Sequence, residues 1–335
     1  MNTSVPTSTD DALLRFLLET SGVRGVLVRL TDTWAAVRER TDYPTSVAAC
    51  LGETLAATAL MTGHAKVDGR LSVQLRGTGA LRSLFAECTR DGTLRGLAHY
   101  SEPLPEPLGP RAFGEGSMLA ITIENVAIGG RDGMRYQGLV DLDADTMAEA
   151  FEGYFAQSEQ LPTRILLATN GQVATGLMMQ KLPGSEGDDA DGWQRATAIF
   201  ETLGCAELLA SAPHALLFRL FHEDNVRVLD ARPLHFGCSC SRERVAAMLQ
   251  SLGREEALAT VQEDAHVAVA SALASDAGDG RSRHPEPHDT RASTHPAGVA
   301  EVSCQFCGQV YRLPRDEVLA LFEQPSEVAG PDTLQ

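Results

Sequence analysis

Four of the seven cysteines fall in two tight pairs, Cys238-Ser-Cys240 and Cys304-Gln-Phe-Cys307, separated by residues 241–303, 63 in all. Two pairs that each bend around one ion can fill all four positions of a tetrahedral zinc site with thiolates, leaving no place for a substrate water. Such a site is structural rather than hydrolytic. Gly308 follows the second pair directly, and a Cys-x-x-Cys-Gly turn needs a residue that tolerates φ > 0 so that backbone N–H groups can point at sulfur. The Cys-x-Cys half adds redox character. On oxidation its two sulfurs can meet only in a small, strained ring, and strained disulfides are the reducible, regulatory kind.

The other three cysteines, Cys50, Cys88 and Cys205, are isolated and are expected to be small core residues in a helix, a strand and near the end of a connector helix. Seven cysteines are too few for a disulfide framework in 335 residues, so the close cluster points to metal or regulated redox chemistry in a reducing compartment. The first basic residue is Arg15, the stretch Met1 to Asp11 is polar, and no apolar run approaches a signal h-region or a membrane span. A cytoplasmic protein without membrane attachment is the expectation.

Hydrophobic residues make up 43% and charged residues 22%, the composition of a globular chain long enough for two or three domains. Lys and Arg number 28 against 45 Asp and Glu, a net charge of −17 that repels polyanions and argues against nucleic acid as a partner. No Gly-x-x-x-x-Gly-Lys-Ser/Thr loop occurs, and Gly77-Thr-Gly79 and Gly114-Glu-Gly116 lack the rest of a dinucleotide fingerprint. ATP and NAD are not indicated.

Residues 1–182 read as an α+β domain. Gly25 to Leu30 suits a strand, and two helical segments follow. The second starts after Pro44, where Thr45 and Ser46 can cap, with Val47, Leu51 and Leu55 on one face. Strand signals at Leu71 to Leu75, Leu84 to Thr89, Leu94 to Tyr100 and Met118 to Val126 read as an antiparallel meander, and Tyr136 to Leu142 adds another strand. Asp145 then opens a helix with Met147, Phe151, Tyr154 and Phe155 on one face, and a last hairpin turns around Asn170-Gly171. Residues 183–233 read as a linker with helices at about 193–210 and 213–222. Residues 234–335 hold the four cysteines, interrupted by an aperiodic Ser-, Asp-, Pro- and His-rich insertion at about 265–300 that is expected to be disordered. His284, His288 and His295 within it read as solvated linker residues, and Glu255, Glu256, Glu263 and Asp264 beside it as a solvated helix face.

The segments Cys238-Ser-Cys240-Ser-Arg-Glu-Arg244 and Cys304-Gln-Phe-Cys307-Gly308, with Tyr154-Phe-Ala-Gln-Ser-Glu-Gln-Leu-Pro-Thr163 and Tyr136-Gln-Gly-Leu-Val140, make the chain closely resemble the 33 kDa chaperonin family. These are the redox-regulated heat-shock holdases of bacterial cytoplasm. The resemblance implies an N-terminal α+β domain built on an antiparallel sheet with packed helices, a helical connector and a small C-terminal four-cysteine zinc domain. It implies one Zn2+ held by Cys238, Cys240, Cys304 and Cys307 in the reduced, inactive protein. It also implies that oxidation pairs Cys238 with Cys240 and Cys304 with Cys307, with loss of zinc, and that the partners are unfolding client proteins held without ATP. Oxidised homodimers are a further implication. The separation between the thiol pairs departs from the usual shorter loop of the family. Loop closure costs only about 0.6 kcal/mol per doubling, so an intact site is still expected.

Two other functions compete. Cys-x-x-Cys is also the signature of thiol-disulfide oxidoreductases, but Cys304 and Cys307 lie near the C-terminus without a following βαβ unit, so no enzyme activity is expected. Zinc ribbons that bind RNA share the Cys-x-x-Cys-Gly turn, and the charge of −17 opposes that reading.

Overall fold

The structure is a computed structural model and describes residues 11–65, 67–125, 133–183, 191–262, 267–268 and 298–323. Contact density divides the chain into two units, Met1–Cys238 and Ser239–Gln335.

The first unit contains two sheets. One has five strands, β1 (Ala12–Leu18), β2 (Val23–Leu30), β8 (Thr163–Thr169), β9 (Ala174–Lys181) and β10 (Val226–Pro233), in the order β10-β1-β2-β9-β8 with every pairing antiparallel. The other has six, β3 (Arg70–Arg76), β4 (Leu81–Thr89), β5 (Thr93–Tyr100), β6 (Met118–Glu124), β7 (Arg135–Asp141) and the short β11 (His235–Phe236), in the order β11-β5-β4-β3-β6-β7. The expected meander holds only through β3, β4 and β5. β6 returns to pair with β3, Val73 opposite Ile121, because both strands bury alternate residues on the same inner face.

Between the sheets runs α2 (Thr45–His64), preceded by α1 (Asp32–Arg38) and joined by α3 (Met147–Ser158). Leu51, Leu55 and Leu60 of α2 are fully buried, each burial contributing about 1.5–3 kcal/mol. Thr54, Thr58 and Thr62 reach the same interior by donating to the carbonyls four residues back, which satisfies their hydroxyls within the helix. α2 also corrects the reading that no apolar run approaches a membrane span. It is long and apolar enough by composition, and 83% of its most apolar window is buried inside the fold.

Two helix starts differ from expectation. The N-cap of α2 is Pro44, with no side-chain cap. α3 begins after Thr146 rather than at Asp145, because Thr146 and Glu149 close a reciprocal capping box. The apolar face of α3 is as expected, with Met147, Phe151, Tyr154 and Phe155 buried. Tyr154 lies against Gly138, where a Cβ would come within 2.8 Å of its ring, so β7 needs a glycine there.

The outer face of the five-stranded sheet carries a second core under α4 (Gly192–Phe200), α5 (Cys205–Ala210) and α6 (Pro213–Phe221). The helical stretch expected at about 193–210 is therefore two helices broken at residues 201–204. Strands buried on both faces explain why β1 and β2 are nearly continuously apolar: Leu13, Val26 and Val28 face α2 while Leu14, Phe16 and Leu27 face the outer helices. Buried Asp224 ties this layer down, accepting from Ser21 Oγ at 2.5 Å and from Arg195 at 3.1 Å.

The second unit has a small core of Val245 and Leu249 on α7 (Arg242–Leu252), Ala257 and Val261 on α8 (Arg254–Gln262), Ala300 and Val302 on β13 (Val299–Ser303), Leu313 on β14 (Val310–Pro314) and Val318 on α9 (Arg315–Ala320). A two-residue strand, β12 (Val267–Ala268), runs parallel to β13. Glu255 and Glu256 are exposed on α8 as expected. The readings made for Glu263, Asp264 and the three insertion histidines lie outside the described residues, as does most of the insertion itself.

Candidate metal centre

The first cysteine pair is reached through a segment stitched to the six-stranded sheet. β11 runs parallel to β5, pairing His235 with Thr93 and Phe236 with Leu94. The Gly237 N–H then donates to Leu94 O at 3.2 Å, and the Arg40 guanidinium lies 3.9 Å from the Phe236 ring centroid. Cys238 follows directly. Arg95, itself nearly fully buried, donates to the Cys238 sulfur at 3.6 Å while paired with Glu87 at 2.9 Å.

Cys240 precedes Ser241, whose side chain caps α7 by accepting from the Arg244 N–H at 3.3 Å. The Arg244 guanidinium turns back to donate to Ser239 Oγ at 2.6 Å. These bonds explain the Cys-Ser-Cys-Ser-Arg-Glu-Arg run: the second serine starts the helix and the second arginine braces the residue between the thiols.

The second pair sits in the turn joining β13 to β14. The Cys304 N–H donates to Gln309 O at 2.9 Å and the Gly308 N–H to Cys304 O at 2.8 Å. Gly308 has φ +72°, the left-handed conformation expected of it. Opposite Val302 in the hairpin register stands Tyr311, whose hydroxyl donates to the Cys240 sulfur at 3.2 Å. The Cys240 sulfur first, then burial and the other thiols, push the Tyr311 phenol pKa up.

The sulfurs of Cys238, Cys240, Cys304 and Cys307 all lie within 4.8 Å of one another, with Cys240 and Cys307 at 3.3 Å. A tetrahedron with ligand distances of about 2.3 Å has sulfur–sulfur edges of about 3.8 Å, so the donor set fits a single ion of the zinc type. Thiolates select soft or borderline metals over calcium or magnesium.

The four residues singled out by spacing are thus brought together. The isolated cysteines behave differently. Cys50 and Cys88 are buried as expected, but Cys205 is exposed and opens α5 instead of closing a connector helix. Arg95 and Tyr311 were not foreseen. Tyr311 lies four residues beyond Cys307, within reach of a strand signal, whereas nothing local marks Arg95, 143 residues from its sulfur.

Comparison with known proteins agrees with this architecture. The family model of the Hsp33 protein matches residues 11–274. The 33 kDa chaperonin of Pseudomonas putida (strain GB-1) is 38% identical over 317 residues, 93% of each chain. That of Pseudomonas aeruginosa (strain LESB58) is 37% identical over 320 residues, 94% of this chain and 95% of that one. A crystal structure of the 33 kDa chaperonin from Thermotoga maritima superposes with a TM-score of 0.70 at 20% identity, covering 93% of this chain and 97% of that one, and supports the fold. A match of this extent, together with the gathered thiols, settles the kinship: this chain belongs to the Hsp33 family of chaperones.

Proposed function

We propose that the protein is a redox-regulated, ATP-independent holdase that binds unfolding cytoplasmic proteins under oxidative and heat stress. The observation that carries this reading is the convergence of four thiols from two pairs 63 residues apart on one ion-sized site. In the resting state Cys238, Cys240, Cys304 and Cys307 ligate one zinc ion, which when bound supplies a structural crosslink on the order of 10–16 kcal/mol. The second unit needs it. Its described core has eight buried apolar residues, too few to hold a module of this size against chain entropy unaided.

The same sulfurs are the sensor. A peroxide takes two electrons from a thiolate: sulfur bonds to one peroxide oxygen, the O–O bond breaks and hydroxide leaves. The neighbouring thiolate then attacks the sulfenic sulfur, the S–O bond breaks, and a disulfide forms with release of a second hydroxide. Cys238 pairs with Cys240 and Cys304 with Cys307, neither pair can ligate the metal any longer, and the C-terminal module of residues 234–335 unfolds. With it the linker, residues 183–233, loosens and apolar surface becomes available to clients. The folded α+β domain of residues 1–182 remains as the platform, and the oxidised form is expected to dimerise.

The decisive experiment is light scattering from a thermally unfolding client protein without ATP, mixed with zinc-loaded reduced protein or with protein oxidised by peroxide at elevated temperature. Suppression by the oxidised form alone supports the reading. Equal suppression by both forms would make the holding constitutive, and suppression by neither would remove the chaperone activity altogether.

A further inference from the structure

The four thiols are chemically alike in sequence but not in their surroundings. In the second unit, Cys240 is the one to which a phenol is aimed: the Tyr311 hydroxyl lies 3.2 Å from its sulfur. Tyr311 is held there by its hairpin register opposite Val302 and by packing of its ring against the small core. The contact is an O–H···S hydrogen bond donated by the phenol to the Cys240 sulfur. A donated bond draws electron density from sulfur and stabilises the anion, and sulfur that is stabilised attacks an electrophile more slowly.

We propose that Tyr311 is a positioning and damping residue for the redox switch, which orients the Cys240 sulfur toward the site and slows its attack on peroxide, so that oxidation does not begin at Cys240. This rests on the metal-centred switch proposed above. The damped step is the first one: the Cys240 thiolate gives two electrons to peroxide, a sulfur–oxygen bond forms, the O–O bond breaks and hydroxide departs. The hydrogen bond must weaken as the charge leaves sulfur, and that loss raises the barrier. A donor phenol thereby sets a threshold, since brief or dilute peroxide leaves Cys240 reduced.

The test is Tyr311→Phe, which keeps the ring and removes only the hydroxyl. Metal release from the zinc-loaded full chain is followed with a chromophoric zinc indicator, once with peroxide and once with a chelator alone, and sulfenic acids are trapped with dimedone and mapped by mass spectrometry. The variant should release metal about three- to tenfold faster with peroxide, the size of one hydrogen bond, with chelator-driven release unchanged and Cys240 adducts appearing earlier. Equal acceleration by chelator would mean a structural role only and overturn the proposal, as would unchanged or slower release with peroxide, the latter making the phenol a proton donor to the leaving hydroxide. If the variant holds no metal, the wild type decides: Cys240 as the first adduct overturns the proposal. A wild type that binds no zinc, or keeps it in peroxide, would defeat the underlying switch, an outcome distinct from a wild type that switches while the variant matches it.

Discussion

Arg95 and Cys238 meet at 3.6 Å, the guanidinium of a mid-strand arginine donating to a cysteine sulfur 143 residues further along the chain. The same guanidinium pairs with Glu87, and Glu87 lies 3.5 Å from Arg70, which pairs in turn with Glu124. A line of alternating charge thus crosses the sheet and ends at the Cys238 sulfur.

Arg95→Met should be costly within the first unit because it strips the nearest cation from the buried Glu87 carboxylate. A loss of about 3 kcal/mol is expected, read as a shifted midpoint in urea denaturation. Adding Glu87→Leu should recover most of it. Failure of the double variant to regain stability would show that the arginine acts by packing and not by charge.

Metal removal should be visible with the chromophores the chain already has. Trp34 and Trp193 both lie before residue 238, while Tyr311 is the sole tyrosine beyond it. In a Trp193→Phe background, chelation of reduced protein should reduce far-ultraviolet ellipticity while Trp34 emission, buried with its Nε1 donating to Asn170 O at 2.9 Å, stays unshifted. A red shift of Trp34 would mean that the α+β core opens too.

Native thiol labelling should separate the isolated cysteines. Burial, then the Glu53 charge, pushes the Cys50 thiol up to about 12, and burial pushes Cys88 up to about 11. At pH 8 only about one Cys50 in ten thousand would be thiolate. Iodoacetamide should therefore mark exposed Cys205 and spare both others until the protein unfolds. Rapid modification of Cys88 would contradict its placement on the inner face of the sheet.

Stability should fall across neutral pH through Glu53. Burial raises its carboxyl from 4.5 to about 7, so between those values the folded state holds the proton more tightly than the unfolded chain. The contribution is full below about pH 4.5 and is lost as pH rises through 7, reaching about 1–3 kcal/mol. Glu53→Gln should raise the melting temperature at pH 8 and flatten the profile between pH 5 and 8. An unchanged slope would mean that other groups dominate that window.

Local pattern revealed the paired thiols, the need for a left-handed residue at Gly308 and the buried faces of α2 and α3, because each depends on neighbours a few residues apart. It missed β1, whose Ala-Leu-Leu-Arg-Phe-Leu-Leu run has no alternation, both faces being covered. Nor does it mark β10, which pairs with β1 across more than 200 positions and lies in a stretch whose local pattern is that of a linker. The return of β6 to β3 and the reach of Arg95 are long-range in the same way. At the candidate metal centre the paired thiols were legible, and the groups aimed at them were not.

The placement of α2 has a consequence for how the molecule can loosen. One helix serves the inner faces of both sheets, so neither sheet can peel away without uncovering twenty residues apolar enough for a lipid bilayer. Amide exchange along Thr54 to Met61 should accordingly need global opening and be among the slowest of the described residues. The most bilayer-like helix among the described residues is thus the one whose exposure requires both sheets to open.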